Sequence, residues 1–193
     1  MKNKRLFLAC VFIIVGYCFA SAQNVKKIEV EPYLGLTAPI RDVGYNARGT
    51  AGLNLGMEVR YNISASPISI GADINLATAN RILKKDNGKH SDNVQRMASL
   101  SVVCDWNFRQ SRNFSYSVGL GIGGCQRESM KTGIDNSIGI CPSYGIIAAP
   151  RFGIEVWNHL RLTLEARFTQ RDYNLIAFRL GVPIGGGSQN SIK

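Results

Sequence analysis

Few residues in this chain could do covalent chemistry. His90 stands in the run Lys89-His90-Ser91-Asp92, where a hydroxyl, an imidazole and a carboxylate could serve as nucleophile, base and orienting acid. Such a trio works only when the side chains converge on one reacting atom, which adjacent residues rarely do, so the run reads as a solvated polar loop. The second histidine, His159, sits beside an expected tight turn, where a structural role fits it. Outside the N-terminal apolar run there are three cysteines, Cys104, Cys125 and Cys141. Cys125 and Cys141 flank one expected long loop, and an oxidising compartment admits either a disulfide between them or two free thiols. Cys104 falls on an apolar strand face and reads as a small hydrophobe. No spacing among Cys, His and acids suggests a metal site. Gly119-x-Gly121-x-Gly123-Gly124 follows a strand's alternation rather than a phosphate loop, so no cofactor is expected.

The N-terminus explains the oxidising compartment. Lys2, Lys4 and Arg5 precede an apolar run from Leu6 to Ala20, and Ala20-Ser21-Ala22 gives the small-x-small pattern of a signal-peptide cleavage site. Cleavage after Ala22 is expected, giving residues 1–22 as signal peptide, 23–184 as one domain and 185–193 as a polar tail. The apolar run is shorter than the roughly 20 residues of a spanning helix. Tyr17 before Cys18 is too bulky for a lipidation site. Past the signal no apolar run of about 18 residues remains, which excludes a helical membrane protein. The formal charge of +10 is moderated by loss of the three signal cations. With an export signal and no basic stripe carrying interleaved aromatics, nucleic acid is not an expected partner.

The mature chain is dominated by period-two alternation, which sends successive side chains to opposite faces of a strand. In residues 160–169, Leu160, Leu162, Leu164, Ala166 and Phe168 alternate with Arg161, Thr163, Glu165, Arg167 and Thr169. The rhythm repeats in 53–61 and 68–76, and less cleanly in 28–37, 97–108, 114–124, 144–156 and 175–182. That predicts eight antiparallel strands of roughly 8 to 13 residues, close to the 9 to 11 of a tilted transmembrane strand. Pro32 and Pro150 fall inside two of them, where a bulge is expected at each because proline removes a ladder donor.

Three features say which face looks inward. The apolar faces carry no charge, as a lipid-facing band requires when a midplane charge costs about 2 to 4 kcal/mol. The polar faces hold Gly35, Gly56, Gly71, Gly119, Gly121, Gly123, Gly153 and Gly181, which suit the narrow interior of an eight-stranded barrel. Connections alternate, with long loops expected at 38–50, 80–95 and 126–142, tight turns near Ser64, Ser111 and Asn158, and a short seventh link near Arg171 and Asp172. Tyr61, Trp106, Phe108, Phe114, Tyr116 and Trp157 gather beside the tight turns as an interface girdle. The polar face then becomes a lumen holding Glu29, Glu31, Glu58, Asp73, Asp105, Glu155 and Glu165 with Arg60, Arg151, Arg161, Arg167 and Arg179. In so narrow a space these charges are expected to pair and to plug the barrel.

Signal, eight strands, loop asymmetry and girdle together resemble the small outer-membrane β-barrel family typified by the OmpA membrane domain and OmpX. The resemblance implies an all-β, up-and-down transmembrane barrel in the outer membrane, with outer-membrane lipids and the barrel-assembly machinery as partners. Such barrels commonly end in an aromatic residue, whereas this chain runs from Val182-Pro183 into a glycine-rich tail. It implies a non-enzymatic structural, adhesion or surface-interaction role through the long loops. Two alternatives stand beside it: a lipid A-modifying enzyme using His90, since acyl-transferring and deacylating barrels of this size exist, and a soluble lipocalin-like lipid carrier. Arg81, Lys84, Lys85, Lys89 and Arg96 outnumber Asp86 and Asp92 in the longest basic loop, which makes lipopolysaccharide phosphates a candidate partner, a solvated loop being the simpler alternative.

Overall fold

Alternating β-branched and small residues favour extended backbone, and a sheet with one apolar and one charged face can bury the charges only by closing on itself. The computed structural model describes residues 27–40, 47–64, 66–84, 90–109, 114–132, 138–157, 159–170 and 174–185. The expected signal peptide and nearly all of the tail lie outside these. The strands are β1 (Ile28–Pro39), β2 (Ala47–Thr50), β3 (Gly52–Asn62), β4 (Ile68–Lys84), β5 (His90–Arg109), β6 (Phe114–Thr132), β7 (Ile138–Val156), β8 (Leu160–Thr169) and β9 (Leu175–Gly181). β2 and β3 are two parts of one barrel strand, so the antiparallel ring β1-β3-β4-β5-β6-β7-β8-β9 closes on β1 as an eight-stranded barrel. Following paired residues once round from Glu29 returns to β1 at Pro39, a shear of ten residues. That stagger is what tilts the strands and leaves an interior only wide enough for side chains.

Neither expected proline bulge forms. β1 keeps one register with β3 through Pro32↔Met57, and β7 with β6 through Leu120↔Pro150. On its other side each proline only interrupts the ladder: β7 and β8 pair at Ala148↔Phe168, skip two residues, and resume in phase at Arg151↔Glu165. The carbonyl of Pro32 still accepts from Val182 N at 3.1 Å. A missing donor therefore costs a hydrogen bond and leaves the register intact. The register shift falls elsewhere. β2 pairs with β4 through Thr50↔Asn80 and β3 through Asn54↔Ala77, which places one extra residue at 51–53. Gly52 sits in this bulge, where a Cβ would collide with the carbonyl oxygen of Thr78, and Leu53 N donates to Thr78 Oγ1 at 2.9 Å.

The long loops are also revised. β4 and β5 continue as a ladder to Lys84↔His90, and β6 and β7 to Thr132↔Ile138, so most of the expected loops at 80–95 and 126–142 are strand. β5, β6 and β7 have 20, 19 and 19 residues against 10 and 7 for β8 and β9, so one side of the barrel stands as a tall wall. β7 meets β8 only from Ile147, so its 138–146 segment has β6 on one side and no strand on the other among the described residues. At the opposite end the tight turns carry the aromatic girdle: Phe108 stacks on Tyr116 at 4.8 Å between centroids, and Trp106 lies 6.4 Å from Phe108. Trp157 occupies a turn at φ 55° and is 67% exposed.

The outward face carries the large apolar side chains, including Leu34, Leu53, Ile74, Leu100, Val102, Ile122 and Phe178, each largely exposed, and Cys104 lies among them. The inward glycines are there for room. A Cβ on Gly119 would overlap the Asp105 carboxylate and stand 2.6 Å from the Cys104 carbonyl, whereas a Cβ on the outward Gly124 would meet nothing within 4 Å. Gly119→Val is therefore expected to cost the barrel about 1 to 3 kcal/mol through overpacking, and Gly124→Ala nothing measurable. Urea unfolding followed by tryptophan fluorescence checks the contrast.

Candidate functional site

β-strand alternation sends every second side chain of the eight strands into the lumen, and the sequence has placed opposite charges at matching heights. The twelve charged residues expected there are all buried and all joined by ion pairs. Nearest the tight turns, Arg161 Nη1 donates to Glu29 Oε1 at 2.7 Å and to Glu31 Oε2 at 2.6 Å, while its Nη2 bonds Glu155. Arg60 pairs with Glu31 and, through Nε, with Glu58 Oε1 at 2.6 Å.

One layer further in, Arg151 uses its fork on two carboxylates at once. It donates to Glu58 from Nη1 at 2.5 Å and from Nη2 at 2.8 Å, and to Asp105 Oδ1 from Nε at 2.7 Å, with a second contact to Asp105 from Nη2. Planar guanidinium geometry is what permits this double bidentate grip. Above it, Arg179 pairs with Glu165 Oε2 at 2.6 Å and Asp73 Oδ2 at 3.3 Å, and lies 4.4 Å over the ring of Tyr33. Tyr33 donates to Asp73 Oδ1 at 2.6 Å and accepts from Asn75 Nδ2 at 2.9 Å. Arg167 bonds Glu165 and Asn75 and reaches Ser99 Oγ at 3.2 Å.

The sequence reading missed three parts of this interior. Tyr33 and Asn75 stitch the upper layer together, and neither carries a charge to draw attention. Arg127, 2% exposed, projects inward one turn of alternation beyond Cys125 and donates to Thr169 Oγ1 at 3.3 Å and the Tyr144 carbonyl at 3.4 Å. The phase of Gly119, Gly121, Gly123 and Cys125 points to it, although it falls within the loop expected at 126–142. The third is apolar. Ala77, Ala79, Met97, Cys125, Ile147 and Leu175 form a buried cluster. Ala77, Ala79, Ile147 and Leu175 lie nearer the long-hairpin end than Asp73, Arg151 and Arg179 on the same strands, while Arg127 lies beyond Cys125 on β6. The lumen is thus charged for most of its length, with an apolar cap towards the long-hairpin end.

The cysteine pairing needs correction. Cys125 lies opposite Gly145, and Cys141 opposite Ser129, four residues further along the ladder. At about 3.4 Å of rise per residue that separation far exceeds the roughly 7 Å that a disulfide can span between Cα atoms. Cys125 is a free, buried thiol in the apolar cap. His159 is exposed at the β7–β8 turn, with its amide donating to the Val156 carbonyl at 3.3 Å. His90 opens β5 opposite Lys84, and its side chain, like those of Arg81, Lys84, Ser91 and Asp92, lies outside the described residues, as do Lys85 and Lys89 entirely. The described lumen residues offer guanidinium–carboxylate saturation rather than a nucleophile held against a base. Among them no three metal-binding side chains converge on a point.

No protein-family profile matches the chain, and no curated protein does. Solved structures do. The outer membrane protein Ail of Yersinia pestis in a phospholipid bilayer nanodisc aligns with a TM-score of 0.50 at 14% identity, covering 81% of this chain and 99% of that one. Neisserial surface protein A aligns at 0.49 and 10% identity, covering 84% and 99%. The outer membrane protein OprG from Pseudomonas aeruginosa aligns at 0.48 and 10% identity, covering 84% and 98%. What is shared is the fold: a closed, antiparallel, eight-stranded barrel of the outer-membrane type.

Proposed function

We propose, starting from a chain with the fold of small outer-membrane barrels, that it resides in the outer membrane as a closed, non-conducting barrel whose working surface is the tall wall. The observation that carries this reading is the inequality of the strands: β5, β6 and β7 run 19 or 20 residues where about 10 would cross a bilayer. A sheet that overshoots the membrane on one side offers backbone edges and side chains to a partner. The interior, in this reading, is filled by the barrel's own side chains.

Orientation follows from the girdle and the turns, with tight turns on the periplasmic side and the wall outside. A cysteine probe at Asn87 should then label on intact cells and one at Ser111 should not; both positions lie outside the described residues. The basic residues Arg81, Lys84, Lys85 and Lys89 belong to the tip of the β4–β5 hairpin, and phosphates of lipopolysaccharide match their charge. Replacing Lys84, Lys85 and Lys89 by glutamine should weaken lipopolysaccharide binding by about tenfold at low salt, with the difference fading as ionic strength shortens the Debye length. Surface plasmon resonance over a salt series measures it. Turnover of labelled lipid A that vanishes in His90→Ala would instead favour an enzyme.

A further inference from the structure

The outward face of a transmembrane barrel meets lipid everywhere, yet here it is not uniformly filled. Two adjoining cavities open on it beneath the wall. One, of about 390 Å³, is lined by Leu53, Leu55, Leu76 and Ala98 with Thr78, Arg96, Gln126 and Glu128 along one rim. The other, of about 510 Å³, shares Leu76, Ala98 and Gln126 and continues over Gly124 between Leu100 and Tyr144. Since a water occupies about 30 Å³, this is room for a hydrocarbon chain.

The register explains the shape. Leu76, Ala98, Gln126 and Tyr144 form one outward row across β4 to β7, and Ile74, Leu100 and Gly124 form the next. Ala98 and Gly124 are the low points of the two rows. The barrel has no packing need for a glycine at 124, because a Cβ there would stand in open space. Its smallness leaves the groove open on the outward side.

The rim supplies the specificity. Arg96 and Glu128 are direct partners across the β5–β6 ladder, and both line the cavity, yet among the described residues they form no ion pair. Glu128 instead accepts from Gln126 Nε2 at 3.5 Å. A cation and an anion held apart over an apolar groove, at the level where the apolar band ends, match a headgroup that is itself a phosphate and a primary ammonium. We propose that this groove binds one lipid whose headgroup carries both a phosphate and a primary ammonium, an acyl chain lying over Ala98 and Gly124, its phosphate on Arg96 and its ammonium on Glu128, with phosphatidylethanolamine as the probe of that chemistry. This rests on the outer-membrane reading above and adds a lipid class to it.

The test is native mass spectrometry of the full refolded chain, released from vesicles of phosphatidylethanolamine, phosphatidylglycerol and phosphatidylcholine in equal parts with identical acyl chains. Retention of phosphatidylethanolamine should exceed that of either other lipid by about tenfold, the worth of one hydrogen bond to a charged group. Phosphatidylglycerol lacks the ammonium, and phosphatidylcholine has no N–H to donate. Glu128→Gln should erase the preference over phosphatidylglycerol, and Arg96→Gln should weaken retention of all three. Gly124→Leu, which fills the groove where the barrel has space, should abolish retention while the protein keeps its heat-modifiable mobility on an unboiled gel. Equal retention of the three lipids by the wild type, or undiminished retention by Gly124→Leu, would overturn the groove and leave the membrane barrel standing. A mature chain that stays monomeric without detergent would instead overturn the membrane reading itself.

Discussion

Arg151→Met should lower the unfolding free energy of the barrel by about 3 to 5 kcal/mol, the cost of leaving buried charge without its partner. Arg151 is the common partner of Glu58 and Asp105, which are 2% exposed and lie on different strands. Methionine fills most of the volume, so the loss is electrostatic and not a cavity. Both carboxylates would remain in a lumen too narrow to hydrate them fully. Among the described residues Arg60 is the only other cation within 4 Å of Asp105, at 3.7 Å, and it is already engaged with Glu31 and Glu58. Adding Glu58→Gln and Asp105→Asn removes the excess buried negative charge and should recover more than half of the loss, because a neutral interior of similar volume is often as stable as the ion pair it replaces. Urea titration of the single and triple variants in the same detergent gives both values. A triple variant no more stable than the single one would mean that Arg151 acts through shape alone.

Removing one arginine from each end of the lumen should do more. Arg161 gathers Glu29, Glu31 and Glu155, whereas Arg167 bonds Glu165, Asn75 and Ser99, and the two share no partner. Changes at sites with separate partners add, so Arg161→Ala with Arg167→Ala should cost about 6 kcal/mol or more, comparable with the whole stability of many domains. The double variant is expected not to refold into the fast-migrating form on an unboiled gel, while each single variant does, with a lowered urea midpoint. Substitutions at exposed outward positions such as Gly124→Ala should leave the unfolding free energy within about 0.5 kcal/mol of the wild type.

Much of this interior could be read from the chain because alternation with one lipid-facing side is a strict pattern. β8 spans Leu160–Thr169, the bounds expected from its apolar and charged residues, and every charge placed in the lumen by phase is found there. Legibility failed where the two faces stop differing. Past Gln126 and before Met97 both faces of the wall are polar, so nothing in the pattern distinguishes a strand from a loop, and Arg127 was lost with the segment. At Ile146-Ile147-Ala148-Ala149 both faces are apolar, and the inward Ile147 of the cap was hidden among outward neighbours. Proline misled in the other direction. Its lost donor suggested bulges at Pro32 and Pro150, whereas the register shift sits at Gly52, where the glycine allows the carbonyl of Thr78 to approach. A Cys125–Cys141 disulfide is one of two readings open to cysteines that flank one expected loop in an oxidising compartment, and the continuing ladder, which sets the two residues apart, removes it.

On the proposed reading, a lumen filled by six arginines and seven carboxylates, with Met97, Cys125, Ile147 and Leu175 clustered towards one end, carries no ion current. Open channels belong to barrels of about 16 strands, and eight leave space only for side chains. Planar-bilayer recording on the refolded wild-type protein tests this most directly. The trace should stay at the leak level of the bare bilayer under applied voltage, with no stable single-channel steps. Reproducible steps of constant size from the wild type, absent from protein-free bilayers treated with the same detergent, would contradict a closed lumen.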